Sequence, residues 1–341
     1  MSRPRILLVY TGGTIGMMKD FDTGALKAFN FKKLLQRIPE IKQLDCDIET
    51  ISFSKPIDSS NMNPERWTKM ADIIDGNYDA FDGFVVLHGS DTMSYSASAL
   101  SFMLENLTKP VVFTGSQLPI GDLRTDAKEN LITAIQIASL QEKGKPVVSE
   151  VCLYFEYKLY RGNRTTKINA EHFNAFSSPN YPPLAESGVH LKMNREWFLP
   201  RPKTKKPMVH RDMSSEVAIV KMFPGISEAV LSSILSIPNL KGVVLETYGA
   251  GNAPTDAWFL DLLKKAIKSG LHIVNVTQCA GGSVSMGHYE TSTSMKKIGV
   301  ISGKDITTEA AITKLMYLLG QNVSHSVFKT VFETPIRGEI S

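Results

Sequence analysis

A few residues of this chain have the types and places that nucleophilic chemistry needs. Thr14 ends the Thr11-Gly-Gly-Thr14 turn, directly after the apolar run Ile6-Leu-Leu-Val-Tyr10. Ser90 and Asp91 stand in His88-Gly-Ser-Asp-Thr92, directly after Phe84-Val-Val-Leu87. Ser59 lies in the hydroxyl-rich stretch Lys55-Pro-Ile-Asp-Ser-Ser-Asn61, and Lys167 closes Leu159-Tyr-Arg-Gly-Asn-Arg-Thr-Thr-Lys167. A hydroxyl becomes a nucleophile when a base takes its proton, and a lysine can serve if its pKa is lowered. Each residue also has a plainer reading. Thr14 can be an ordinary polar turn residue, Ser90 or Asp91 can cap the helix that follows, and the basic run can be a solvated or phosphate-facing loop. The Gly12-Gly13 pair lacks both the G-x-G-x-x-G order and the P-loop lysine, so it is a weak phosphate cradle.

The elements that must position these groups alternate between strand and helix. Ile6 to Tyr10, Asp47 to Phe53, Phe84 to Leu87, Val111 to Thr114 and Val151 to Phe155 read as strands. Helices are expected over Phe31 to Ile38, stopped by Pro39, and from Pro64 to about Ile74. A third begins at Met93 and carries Ala97, Leu100, Leu104 and Leu107 on one face, and a fourth spans Thr125 to Leu140. Met17 to Ala28 has no clear period and reads as a surface loop over Thr14. This β-α order implies a parallel sheet with right-handed crossovers, and ligands bind beyond the carboxyl ends of such strands. Thr14, Ser59, Ser90, Asp91 and Lys167 all fall past strand ends, so one sheet edge would gather them.

Leu199-Pro-Arg-Pro-Lys-Thr-Lys-Lys-Pro207 reads as a semi-rigid solvated linker. It divides an N-terminal domain, residues 1–198, from a C-terminal domain, residues 215–341, with the linker over 199–214. The second half repeats the logic with strands at Val217 to Val220, Gly242 to Leu245 and His272 to Val276, and a helix over about Asp256 to Lys268. With 341 residues, two domains are the expectation. A net charge of +4 with scattered cations argues against a nucleic-acid partner. No apolar run reaches the ~20 residues of a membrane span, and no signal peptide is evident. Cys46, Cys152 and Cys279 are far apart and form no CxxC, which suggests neither disulfides nor a metal site and fits a reducing cytoplasm.

Taken together, these stretches resemble the bacterial-type L-asparaginases, in their cytoplasmic type I branch. Tyr10-Thr-Gly-Gly-Thr-Ile-Gly-Met17 and Leu87-His-Gly-Ser-Asp-Thr-Met93 look like the two signatures of that family. The likeness continues through Ser101-Phe-Met-Leu-Glu-Asn106, the run ending at Lys167, Tyr248-Gly-Ala-Gly-Asn-Ala-Pro254, and Met286, Gly287 and Tyr289. It implies a two-domain α/β fold: a larger flavodoxin-like parallel sheet at the N-terminus and a smaller C-terminal α/β domain. It implies hydrolysis of L-asparagine to L-aspartate and ammonia, with no metal or cofactor; the extra methylene of L-glutamine makes it a weaker substrate that is not excluded. It also implies homotetramers built from intimate dimers, each site shared between neighbouring subunits.

By the same resemblance Thr14 is the nucleophile, and Ser90, Asp91 and Lys167 form a proton relay beside it. Asp91 also pairs with the substrate's α-ammonium, and Ser59 binds its α-carboxylate. Backbone amides near Ser90 stabilise the oxyanion, and Asn252 and Tyr289 arrive from the neighbouring subunit. The sequence departs from the family pattern in three places. Ser90 replaces the usual threonine and loses the methyl that stiffens χ1, which implies looser preorganisation. Met18 to Phe29 holds no tyrosine, where many relatives keep one bonded to the nucleophile. Glu246 stands where an arginine would hold a regulatory asparagine, so that regulation is not expected. Two other readings compete: an amidotransferase subunit, whose relatives carry an N-terminal extension with no room before the first strand here, and a sensor, which would need neither nucleophile nor base.

Overall fold

The structure is a computed structural model, and it describes residues 3–19, 26–28, 38–203, 206–287 and 290–341. The chain divides into two units, Met1–Arg211 and Asp212–Ser341. In the first, the apolar runs become β1 (Arg5–Gly12), β2 (Asp47–Ile57), β3 (Gly83–Leu87), β4 (Val111–Thr114) and β5 (Val151–Phe155). They lie side by side in the order β5-β4-β3-β1-β2, all parallel. Beyond β5 the sheet turns antiparallel through β6 (Lys158–Arg161), then Ala185–Ser187 and Leu191–Met193.

Three helices of this unit bear on the site: α1 (Pro64–Gly76), α2 (Met93–Met103) and α3 (Ala127–Ser139). α3 packs Leu131, Ala134, Ile135 and Ala138 against Ile6, Leu8, Val85 and Leu87 of the sheet. α2 is buried all round apart from Tyr95 rather than on one face. It also stops earlier than its apolar spacing predicts, because Leu104 and Glu105 leave the helix to pair with Val209 and Met208. The stretch read as a linker therefore docks on the first unit over much of its length. Leu199 N–H donates to Glu150 (2.8 Å), Arg201 to the Pro146 carbonyl (2.9 Å) and His210 N–H to the Met103 carbonyl (2.8 Å).

The register fixes where the strands end. Tyr10 lies opposite Leu87, Leu87 opposite Thr114, and Gly12 opposite Ile57. As the ladder runs out, threonine hydroxyls take over the next strand's carbonyls: Thr11 donates to Leu87 O and Thr114 to Tyr154 O, both at 2.9 Å. Met17–Lys19 pairs antiparallel with Leu26–Ala28, so the expected loop over Thr14 begins and ends as a short hairpin. The helix expected over Phe31 to Ile38 lies outside the described residues except for Ile38.

In the second unit Val217–Lys221, Gly242–Thr247, His272–Thr277 and Ile301–Ser302 form a parallel sheet. Lys314, on the helix Thr308–Gly320, is wholly buried. Its ammonium donates to the carbonyls of Phe332 (2.7 Å) and Thr334 (2.8 Å) and to the buried Glu339 carboxylate. Glu339 also accepts the N–H groups of Ile336 and Arg337, which ties the C-terminal segment to the core. Burial draws the Lys314 pKa down and Glu339 opposes it. Breaking such a pair leaves one charge uncompensated at a cost of about 3–5 kcal/mol. Glu339→Gln is therefore expected to lower the urea midpoint of this unit markedly, and Lys314→Met added to it to recover part of the loss. A double variant less stable than Glu339→Gln would contradict this account.

Candidate functional site

Three turns meet beyond the carboxyl ends of β1, β2 and β3, backbone to backbone at Gly13 and Gly12 and against the Ser59 side chain at Gly89. A side chain added at Gly13 would place its Cβ 2.5 Å from Gly89 N and 2.6 Å from Gly89 Cα, and Gly13 has φ +87. One added at Gly89 would lie 2.6 Å from Ser59 Oγ, and one at Gly12, with φ +138, 2.1 Å from the Ile57 carbonyl oxygen. Only glycine fits these contacts, and at Gly12 and Gly13 only glycine adopts the backbone without strain. The Thr14 turn, the Ser90 turn and the Ser59 segment are thus pressed together. Thr92 adds a tie by donating its hydroxyl to Ser59 O (2.7 Å). Asp58 shapes the Ser59–Asn61 turn by accepting both the N–H (3.0 Å) and the hydroxyl (2.8 Å) of Ser60, and those bonds hold its carboxyl below the usual range.

Neither Ser90 nor Asp91 caps α2, whose first turn receives no side-chain cap. Both face Lys167 instead. The Lys167 ammonium donates to Ser90 Oγ (2.9 Å) and to Asp91 Oδ1 (2.7 Å). The pair is open to solvent on one side: the Asp91 side chain is 68% exposed and that of Lys167 only 17%. Lys167 comes from the short strand Thr166–Lys167, held by pairing with Phe176–Ser177.

The rest of the basic run goes elsewhere. Arg161 and Arg164 are buried, not solvated. Arg161 pairs with buried Glu150 (2.7 Å) and donates to the Trp197 carbonyl (2.7 Å), and both guanidinium groups lie over the Tyr181 ring. Of that cluster, Lys167 is the cation that reaches the site residues. Asn252 belongs to the second unit, in a turn closed by bonding with Tyr248. Tyr289 lies outside the described residues. Glu246, also in the second unit, accepts the Thr308 hydroxyl (2.6 Å).

Two contributors escaped the sequence reading. Gln117 accepts the Ser90 hydroxyl on Oε1 (3.0 Å). It stands just past β4, at the same strand-end level as the other turns, and that position was the available signal. His88 is wholly buried next to Gly89. The Gly89 carbonyl can only accept, so His88 Nδ1 carries the proton and donates to it (2.7 Å); Nε2 of the neutral ring then accepts from Ser96 (2.9 Å), whose Oγ accepts from Trp67 N–H (2.9 Å). This network uses a neutral imidazole, and burial pushes the His88 pKa down to about 4.

Residues 5–199 match the family described as Asparaginase, N-terminal, and residues 216–332 match the Glutaminase/Asparaginase C-terminal domain. The chain belongs to the asparaginase family. It is 42% identical over 343 residues to L-asparaginase 1 of Escherichia coli K12, covering 100% of this chain and 99% of that one. It is 40% identical over 359 residues to the 60 kDa lysophospholipase of Mus musculus, covering 99% of this chain and 62% of that one. The solved structure of L-asparaginase I from Vibrio cholerae superposes with a TM-score of 0.91 at 41% identity, covering 99% of each chain. The two-domain α/β architecture is thus the asparaginase fold. Among the described residues, no cluster of His, Cys, Asp or Glu is arranged to hold a metal, and no helix is long and apolar enough to cross a membrane.

The neutral His88 in this asparaginase-family site gives a pH signature of stability. Its folded pKa, about 4, lies below the ~6.5 of an unfolded histidine. As pH falls the unfolded chain takes up the proton first, so the contribution is full above ~6.5 and is lost between there and 4. His88→Gln is expected to flatten the fall in the urea-derived stability of the first unit between pH 7 and 4.5 by about 1–3 kcal/mol. Parallel wild-type and variant curves would show that His88 does not enter neutral.

Proposed function

We propose that this chain is an L-asparagine amidohydrolase that releases L-aspartate and ammonia, with Thr14 as nucleophile. The observation that carries the reading is that Lys167 bonds both Ser90 and Asp91, which stand on a turn pressed against the Thr14 turn. Thr14 Oγ attacks the side-chain amide carbon, the C–N bond breaks and ammonia leaves. Water then hydrolyses the Thr14 ester and restores the hydroxyl. Backbone amides at the Ser90 turn stabilise the oxyanion. Lys167, with Ser90 and Asp91, serves in this reading as the proton relay for the departing nitrogen, and its donation to both supports that role. Asp91, with one carboxylate oxygen on Lys167 and the group open to solvent, takes the substrate α-ammonium in a charge-assisted bond. Ser59 takes the α-carboxylate. No metal or cofactor is assigned a part.

The working unit in this proposal is an intimate dimer within a homotetramer, each site completed by Asn252 and Tyr289 from the neighbouring subunit. Tyr289 supplies in trans the phenol that the Met18 to Phe29 stretch lacks, orienting the Thr14 hydroxyl and relaying its proton. Tyr10 does not take that part, because its ring is buried in the core beneath Gly16 and burial pushes its pKa up to about 12. A cytoplasmic location is supported by Cys46, Cys152 and Cys279, which are all unpaired.

Ammonia release from L-asparagine by the purified protein is the direct test, and its absence would sink the reading. Thr14→Ala should fold, still bind aspartate and lose at least the ~10²–10⁴-fold typical of one catalytic group. Glutamine carries one more methylene, a difference worth ~10–200-fold in kcat/KM, so asparagine is expected to be preferred and glutamine still turned over. Tyr289→Phe should lower kcat while leaving the oligomer intact by sedimentation. Mixing it with Thr14→Ala subunits should restore activity, since one shared site then holds both native groups. Normal turnover by Tyr289→Phe would remove that residue from the mechanism.

A further inference from the structure

Gln117 is fixed through its main-chain N–H and both polar atoms of its side chain. Its main-chain N–H donates to Asp126 Oδ2 (2.9 Å), and the same carboxylate accepts Leu118 N–H (3.1 Å). Its side-chain nitrogen donates to the carbonyls of Ala170 and His172, each at 3.1 Å. Those carbonyls belong to a turn that Asn169 stiffens by accepting the N–H groups of Glu171 (2.8 Å) and His172 (2.9 Å). Two carbonyl oxygens can only accept, so the amide nitrogen must face them and the amide cannot be flipped. Oε1 is therefore the atom that faces Ser90 Oγ, and it can only accept.

The direction of the whole chain follows. Ser90 has one hydroxyl proton, and it is committed to Gln117 Oε1 (3.0 Å). The Ser90 oxygen then has only lone pairs for Lys167, whose ammonium donates to it (2.9 Å). Protons are thus ordered from Lys167 through Ser90 to Gln117. A serine alone would sample three staggered χ1 wells, with no second substituent on Cβ to choose among them. Ser90 lacks the β-methyl of a threonine, yet its hydroxyl has two partners 2.9 and 3.0 Å away.

We infer that Gln117 is a positioning residue: it holds the Ser90 hydroxyl in one rotamer with its proton turned away from Lys167, doing the work of the missing β-methyl. The inference deepens the amidohydrolase reading and rests on it for the kinetic readout alone. In this role Gln117 touches neither substrate nor Thr14.

The test is a double-mutant cycle with a structural arm. Gln117→Leu keeps the side-chain volume and removes the acceptor. With serine at position 90 it should lower kcat for asparagine about 3–10-fold, the size of one lost neutral hydrogen bond, with KM little changed. In the Ser90→Thr background the same Gln117→Leu change should cost less than about 2-fold, because the β-branched side chain restores the rotamer. A cost equal in both backgrounds would mean that Gln117 merely tethers the 169–172 turn, and would overturn the inference. A high-resolution crystal structure of Gln117→Leu should show Ser90 Oγ spread over more than one rotamer. A single Ser90 rotamer unchanged from the wild type would also overturn it. The structural arm needs no turnover, so a wild type inactive on asparagine would refute the amidohydrolase reading and leave this result standing.

Discussion

Everything at this site depends on one contact that contains no side chain. Gly13 lies against Gly89 so closely that a single added carbon would overlap the backbone. That contact is possible because β1 and β3 run parallel in register and end at the same level, Tyr10 opposite Leu87. A hydroxyl one residue past Gly13 and a hydroxyl one residue past Gly89 are thereby delivered to the same place. The precision comes from main-chain packing over a doubly covered sheet, which resists deformation better than contacts between flexible side chains. Gly12 against Ile57 and Gly89 against Ser59 extend the same solution to a third turn.

The charged groups of the molecule sort by what each carries out. Arg161–Glu150 and Lys314–Glu339 are buried, and both members of each pair have further hydrogen bonds that use their remaining capacity. Such pairs hold chain segments: one receives Leu199 where the first unit ends, the other the C-terminal segment. Lys167–Asp91 differs in kind. Its carboxylate is largely solvent-exposed and retains lone pairs for a further donor. A pair left open in this way contributes little to stability, but it can accept a ligand's charge without first breaking a buried network.

The sequence was most legible where chemistry sits at a strand end. Thr14, Ser90 and Asp91 each follow an apolar run too short for anything but a buried strand, and a parallel sheet brings such ends together. Lys167 is harder, because it follows β6 by several residues and reaches the site through a two-residue strand. The basic run hid a division that linear spacing does not reveal: Arg161 and Arg164 turn into the core while Lys167 turns outward. Helical spacing through Leu104 and Leu107 overran the true end of α2, since the residues that stop it, Met208 and Val209, are far along the chain. Gln117 offered only its place past a strand end; what fixes its amide, the carbonyls of Ala170 and His172, is brought beside it by the fold. Ser90 was read as loosely held for the same reason.

Two directed proton chains converge on the Ser90 turn. On the core side Trp67, Ser96 and His88 pass donors in sequence and end on the Gly89 carbonyl. On the solvent side Lys167 and Ser90 do the same and end on Gln117. Each begins with a group that can only donate, an indole N–H or an ammonium, and ends on an oxygen that can only accept. Such a chain has one arrangement of its protons, so each intervening hydroxyl is fixed in direction as well as in place. The neutral His88 is essential to this. Protonated, it would have no lone pair for Ser96, and the core chain would lose its direction at the residue that holds Gly89. A burial that keeps an imidazole uncharged thus acts through one carbonyl on the turn that presents Ser90 and Asp91.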